Sequence, residues 1–138
     1  MNKPKTLSIQ METVDVNRQR YPSADDYFDP VIKDGNITFK NTIINMGNTD
    51  YSFLVFIHCV TEQYLCWKHG IKDKEITKFD MDHPELDNPG EDPKAPYHNE
   101  HLIANDIEAM FSVALDVKWP DYEQAIEDTL KKFKNKKK

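Results

Sequence analysis

The segment that most constrains this chain is FLVFIHCVTEQYLCWKHG at residues 53–70, an apolar run of helix length that carries His58, Glu62 and His69. The apolar side chains recur at helical spacing and predict a stripe that faces the core. The stripe consists of Phe53, Phe56, Ile57, Val60, Tyr64 and Trp67. The three ionisable residues share another face of the helix. Because isolated charges are costly in an apolar interior, this face predicts polar partners elsewhere in the chain.

A second helical pattern, at residues 98–116, presents a narrow polar row. Its members are His101, Asn105, Glu108 and Ser112. If the two helices pack side by side, four side chains converge as in the metal sites of helix bundles. These are His58, Glu62, His101 and Glu108. Imidazole and carboxylate groups suit a divalent metal such as zinc, manganese or iron. Two other interpretations stay open: a hydrogen-bonded pair in the core, and a polar row that faces water.

The remaining patterns predict an α+β fold in one domain, residues 1–134. Residues 6–14 alternate like a half-buried strand, and Asp34-Gly35 between β-favouring runs is a hairpin signal. We expect a small N-terminal antiparallel sheet followed by a bundle of three to four helices. The last helix begins near Trp119-Pro120 and extends to about residue 134, and a basic, frayed tail occupies residues 131–138.

The charge and hydrophobicity of the chain indicate which kinds of partner and compartment to expect. The net charge is −6, yet six of the eighteen basic residues lie in the last eight positions, so the rest of the chain has twelve bases against twenty-four acids. Such an acidic body argues against a broad nucleic-acid surface. No apolar run approaches the roughly 18 residues of a membrane span, and no signal peptide is evident. We therefore expect a cytoplasmic protein in which Cys59 and Cys66 are reduced.

Arg20 is one of only two arginines and is followed by Tyr21. A guanidinium group beside aromatic side chains can anchor an anionic ligand. It can equally form a structural salt bridge to an acidic segment. The sequence leaves both uses open.

The chain resembles a family of small uncharacterised bacterial and phage proteins that share three segments. Here these read RYPSADDYF, FLVFIHCVTEQYLCWKHGI followed by FD, and PGEDPKAPYHNEHLIANDIE. The helix motif of that family usually reads His-Glu-x-x-Glu, which is similar to the helix of zinc hydrolases. His58 and Glu62 match its outer positions, whereas Cys59 stands where the catalytic glutamate is expected. The resemblance also implies roles for Tyr97, Glu100, His101 and Glu108 in the third segment.

Two functions from different classes follow. The first is a divalent-metal protein with its site between two helices, and a degenerate or atypical metal-dependent hydrolase is one form that it can take. The second is a non-catalytic phage accessory or interaction protein that binds a host protein or a small ligand, with Arg20, Tyr21 and Tyr97 as candidate binding residues. The oligomeric state does not follow from the sequence.

Overall fold

The computed structural model describes residues 5–134, in which a four-stranded sheet precedes four helices. The strands are β1 (Thr6–Val14), β2 (Asp25–Tyr27), β3 (Val31–Lys33) and β4 (Asn36–Ile44). The helices are α1 (Thr49–Lys68), α2 (Asp73–Asp82), α3 (His98–Ala114) and α4 (Trp119–Leu130). The predicted α+β class is confirmed. Within the described residues no helix has both the length and the apolar character of a membrane span.

The predicted hairpin joins β3 to β4. Asp34 and Gly35 have φ angles of 51° and 79°, the left-handed pair that a type I′ turn requires, and Lys33 pairs with Asn36 across it. Glycine is suited to the second of these positions because it adopts positive φ at little cost.

The sheet is mixed rather than wholly antiparallel as expected. β2 and β3 pair antiparallel with β4, but β1 pairs parallel with β4 along its whole length, from Thr6 beside Asn36 to Val14 beside Ile44. Alternating side chains identify a strand and its two faces, but not the direction of its neighbour. That direction depends on the path of residues 15–35, which is a tertiary property.

The burial of β1 also differs from the prediction of a half-buried strand. It lies at the edge of the sheet, and residues 6–13 are all exposed, including Leu7 (55% exposed) and Met11 (40% exposed). The alternation is present, but α1 lies over the centre of the sheet and leaves the apolar row of β1 largely uncovered.

α1 contains most of the apolar segment at residues 53–70 and begins four residues before it. The Asn48 side chain accepts a hydrogen bond from the Tyr51 N–H at the start, and Gly70 follows the helix with a φ of 76°. α4 ends at Leu130, earlier than expected. Of the predicted basic tail, residues 135–138 lie outside the described part of the chain.

The aromatic stripe of α1 is not the core face, which corrects the prediction. Phe53 and Tyr64 are exposed, and the other four members are only half-buried. The buried face is instead the one that carries the ionisable residues. It comprises Ser52, Leu54, Val55, His58, Cys59, Glu62, Gln63 and Cys66. α3 and the sheet cover this mixed face because its polar groups have buried hydrogen-bond partners there. The spacing of apolar residues alone therefore predicted the wrong face of α1 as the core face.

Candidate metal centre

Two helices bring together, in the protein interior, three side chains of the types that bind metals. His58 and Glu62 lie one turn apart on α1, and His101 comes from the first turns of α3. One donor atom from each lies within 4.8 Å of the others. Glu62 Oε2 is 3.2 Å from His58 Nε2 and 2.8 Å from His101 Nδ1. This buried group can hold a metal ion, as the two polar rows predicted.

A second set of contacts fixes His58 and Glu62 through the atoms that do not contact each other. The His58 Nδ1 lies 2.9 Å from Glu108 Oε1, and the Tyr122 hydroxyl donates to Glu108 Oε2 at 2.5 Å. The Tyr27 hydroxyl donates to Glu62 Oε1 at 2.8 Å. A carboxylate on the far nitrogen of a metal-binding imidazole is a common arrangement, since it fixes the ring and its tautomer. Glu108, predicted as a possible fourth ligand, thus contacts the opposite edge of His58.

The electrostatics of the cluster favour charged side chains. Burial acts to raise the pKa of Glu62, but hydrogen bonds from His101 and His58 outweigh it and lower that pKa to about 2. Burial acts to lower the pKa of His58, but hydrogen bonds to Glu108 and Glu62 raise it well above 6.5. Because its ring lies between Glu62 and Glu108, the charged form of His58 is favoured over the neutral form. A divalent ion can take the place of its Nε2 proton, because metal binding requires the free nitrogen.

His101 is tightly enclosed and keeps one nitrogen without a protein partner. Its Nε2 is buried and makes no hydrogen bond to the described residues, while its ring lies against Gly90. A Cβ atom at Gly90 would lie 2.5 Å from His101 Cγ, so only glycine fits there. The Gly90 carbonyl accepts a hydrogen bond from His98. An imidazole with an unused buried nitrogen beside a carboxylate fits the donor set of a metal site.

A further carboxyl group lies close to the cluster. Burial, and then the charge of Glu62, raise the pKa of Asp25 to about 6. The neighbouring Cys59 thiol is fully buried, and burial followed by the charge of Asp25 raises its pKa well above 9. Cys59 is therefore a neutral thiol at neutral pH and has no basic character.

The three candidate ligand-binding residues make contacts with other side chains. Arg20 forms a two-pronged salt bridge with Asp26 at 2.7 and 2.6 Å, which fits the structural use left open above. The Tyr21 and Tyr97 hydroxyls both donate to Asp80, at 3.0 and 2.5 Å. These contacts tie the segment after β1 and the segment before α3 to α2. A ligand-binding role for these residues stays a prediction.

The other histidines do not join the centre. His69, predicted to share the face of His58, pairs with Glu100 at 2.7 Å and is half-exposed, while His83 bonds to the Phe79 carbonyl. Sequence reasoning missed Tyr122, which contacts Glu108 from the start of α4. Its neighbours, Asp121 and Glu123, gave no sign that this tyrosine reaches a buried carboxylate.

Comparisons with protein-family models, with curated proteins and with solved structures found no match to this chain. The resemblance to a bacterial and phage family stays a prediction. The functional argument therefore depends on the geometry of the centre.

Proposed function

We propose that this protein binds one divalent transition metal between α1 and α3, and that the ion stabilises the packing of these helices. The observation that carries the proposal is the convergence of His58, Glu62 and His101 in the interior, where each side chain is at least 89% buried. Glu108 and Tyr27 hold the ligands in place. Two imidazoles and one carboxylate are a normal ligand set for zinc, and manganese or iron are the alternatives.

The surroundings support a structural role more than a hydrolytic one. A zinc ion held by such a set can act as a Lewis acid or lower the pKa of a bound water. Hydrolysis also needs a general base beside the ion. At the position where zinc hydrolases have glutamate this chain has Cys59, whose thiol is buried and whose pKa is raised. We therefore assign no catalytic residue.

The test is metal binding by the full chain, purified without a histidine tag or chelator. Elemental analysis is expected to find about one metal ion per chain. After removal of the ion, calorimetric titration with zinc, manganese and ferrous iron identifies the preferred metal. His101→Gln is expected to lower affinity at least about tenfold, because losing a ligand costs no less than the 10–100-fold typical of a supporting residue.

The matched control is His83→Gln, which changes a histidine at the end of α2 that contacts the Phe79 carbonyl rather than the cluster. It is expected to retain metal affinity. If the unchanged protein binds none of the three metals, or if His101→Gln binds as tightly as the control, the proposal fails.

A second candidate is a non-catalytic interaction protein. It is favoured by large apolar side chains on the surface, among them Met110 (72% exposed) and Val113 (77% exposed) on α3. The host protein or small ligand considered above is not identified by these residues.

A further inference from the structure

The short strand β2 turns one of its faces toward the candidate metal centre. On this face the Tyr27 hydroxyl donates a hydrogen bond to Glu62 Oε1 at 2.8 Å and lies 3.7 Å from Cys66 Sγ. Because side chains two residues apart share a face of a strand, Asp25 also points toward α1. Its partner in the sheet is Ile43, which is fully buried. The topology thus brings a carboxyl group to the centre from outside the two helices.

Asp25 meets α1 about one turn before the residues that Tyr27 contacts. Two residues of a strand span about 7 Å, and one turn of a helix spans about 5.4 Å. At this preceding turn the Cys59 thiol donates a hydrogen bond to the Asp25 carboxyl. The charges of Glu62 and His58 also act on this carboxyl. Asp25 therefore lies beside the two candidate ligands that α1 provides.

The Asp25 carboxyl lacks the strong partners that the other carboxyl groups of the centre have. Glu62 and Glu108 each contact an imidazole and accept a hydrogen bond from a tyrosine hydroxyl. Within residues 5–134 the side-chain donor to Asp25 is the Cys59 thiol, and a thiol is a weak donor. A carboxylate in the interior is costly unless it is paired or bound to a metal. This group is therefore suited to a cation.

A structural metal site needs one more donor than the three that converge here. Structural zinc ions are almost always held by four protein ligands in a tetrahedral arrangement. Glu108 cannot be the fourth, because it contacts Nδ1 of His58, whereas the Nε2 that faces Glu62 is on the other edge of the ring. Asp25 is the remaining carboxyl group beside the cluster.

We propose that Asp25 is the fourth protein ligand of the ion bound by His58, Glu62 and His101, a role that rests on the proposed function. In the structure its carboxyl is hydrogen-bonded to Cys59 and lies outside the set of three donor atoms within 4.8 Å of one another. When the ion binds, the carboxylate exchanges the weak thiol bond for the metal. The ion then joins β2 to both helices.

A second carboxylate changes which metals the centre favours. Imidazole ligands suit zinc and iron, whereas carboxylate ligands suit manganese. Asp25 is therefore expected to contribute more to the affinity for manganese than to the affinity for zinc.

The test is calorimetric titration of the full chain and of Asp25→Asn with zinc and with manganese at neutral pH. Asp25→Asn is expected to bind manganese at least about tenfold more weakly, because losing a ligand costs no less than losing a supporting residue. The loss for zinc is expected to be smaller. A variant that was merely less stable would lose affinity for both metals to the same extent.

The matched control is Asp26→Asn, which removes the same charge from the next residue of β2. The Asp26 carboxylate faces Arg20, at 2.7 and 2.6 Å, rather than the centre. This variant is expected to bind both metals as tightly as the unchanged chain. Cys59→Ala removes the competing thiol and is expected to retain or raise the affinity for manganese. Far-UV circular dichroism checks that each variant retains its fold.

The outcomes separate this role from the proposed function. If the unchanged chain binds metal but folded Asp25→Asn binds manganese equally well, or loses both metals equally, Asp25 is not a ligand and the proposed function stands. An equal loss in Asp26→Asn gives the same conclusion. If Asp25→Asn does not fold, a loss of manganese affinity in Cys59→Ala overturns the role. If the unchanged chain binds no metal, both proposals fail.

Discussion

At the scale of single residues, the centre depends on side chains that stabilise each other's charges. His58 lies between Glu62 and Glu108, and each of these carboxylates accepts a further hydrogen bond from a tyrosine hydroxyl, from Tyr27 and Tyr122 respectively. Breaking one member leaves an uncompensated buried group, whose cost exceeds the net value of the bond that is lost. Substitutions that preserve shape and alter charge are therefore the informative ones.

Glu108→Gln tests the role assigned to this carboxylate. The amide retains an acceptor for His58 Nδ1 but loses the negative charge that raises the basicity of the imidazole. Metal affinity measured by calorimetry is expected to fall about 10–100-fold. Glu100→Gln is the control, because Glu100 is also buried on α3 but pairs with His69. Equal affinities for the two variants would contradict a supporting role specific to Glu108.

Asp25 predicts a pH dependence of stability in the metal-free protein. Burial and the charge of Glu62 raise its folded pKa to about 6 from 3.8. A carboxyl group whose pKa is raised on folding adds stability below its unfolded pKa, and that stability is lost as pH rises through the folded pKa. The window therefore lies between about pH 4 and pH 6. The loss is on the order of 3 kcal/mol in the free energy of unfolding.

The measurement is urea unfolding at several pH values in chelator, for the unchanged chain and for Asp25→Asn. The amide cannot ionise, so the variant is expected to lose less stability across the window. It should equal or exceed the unchanged protein above pH 6. Parallel pH profiles for the two chains would show that Asp25 does not titrate in this range.

At the scale of elements, the segment before α3 positions a ligand of the centre. Gly90 lies against the His101 ring, and a methyl group there would come within 2.5 Å of its Cγ. Gly90→Ala must therefore displace the ring. We expect metal affinity to fall at least about tenfold and the free energy of unfolding to fall by about 1–3 kcal/mol, the usual cost of overpacking.

A double-mutant cycle isolates this contact. In a His101→Ala background the ring is gone, so Gly90→Ala is expected to have little further effect on stability. Urea unfolding of the four chains gives the coupling energy. A coupling near zero would mean that the alanine side chain is accommodated without moving His101.

At the scale of the whole molecule, the two long helices have an arrangement opposite to that of an ordinary amphipathic pair. Their polar rows meet in the interior, and much of their apolar surface faces outward with β1. The packing that assembles the candidate metal centre thus leaves apolar side chains of both helices exposed.

Much of the local structure was predictable from the sequence. The hairpin at Asp34-Gly35 and the start of α4 at Trp119-Pro120 follow from turn and proline chemistry. The union of His58, Glu62 and His101 was also predictable, because buried ionisable residues on one helix require partners and a second helix offered a matching row.

What only the tertiary structure decided is the side on which each element packs. The direction of β1, the exposure of its apolar row and of the α1 stripe, and the reach of Tyr122 to Glu108 involve residues distant along the chain. Periodicity ranks the faces of a helix by hydrophobicity alone. A cluster of buried hydrogen bonds and ion pairs can outweigh that ranking, because its stabilisation exists only once several elements have met.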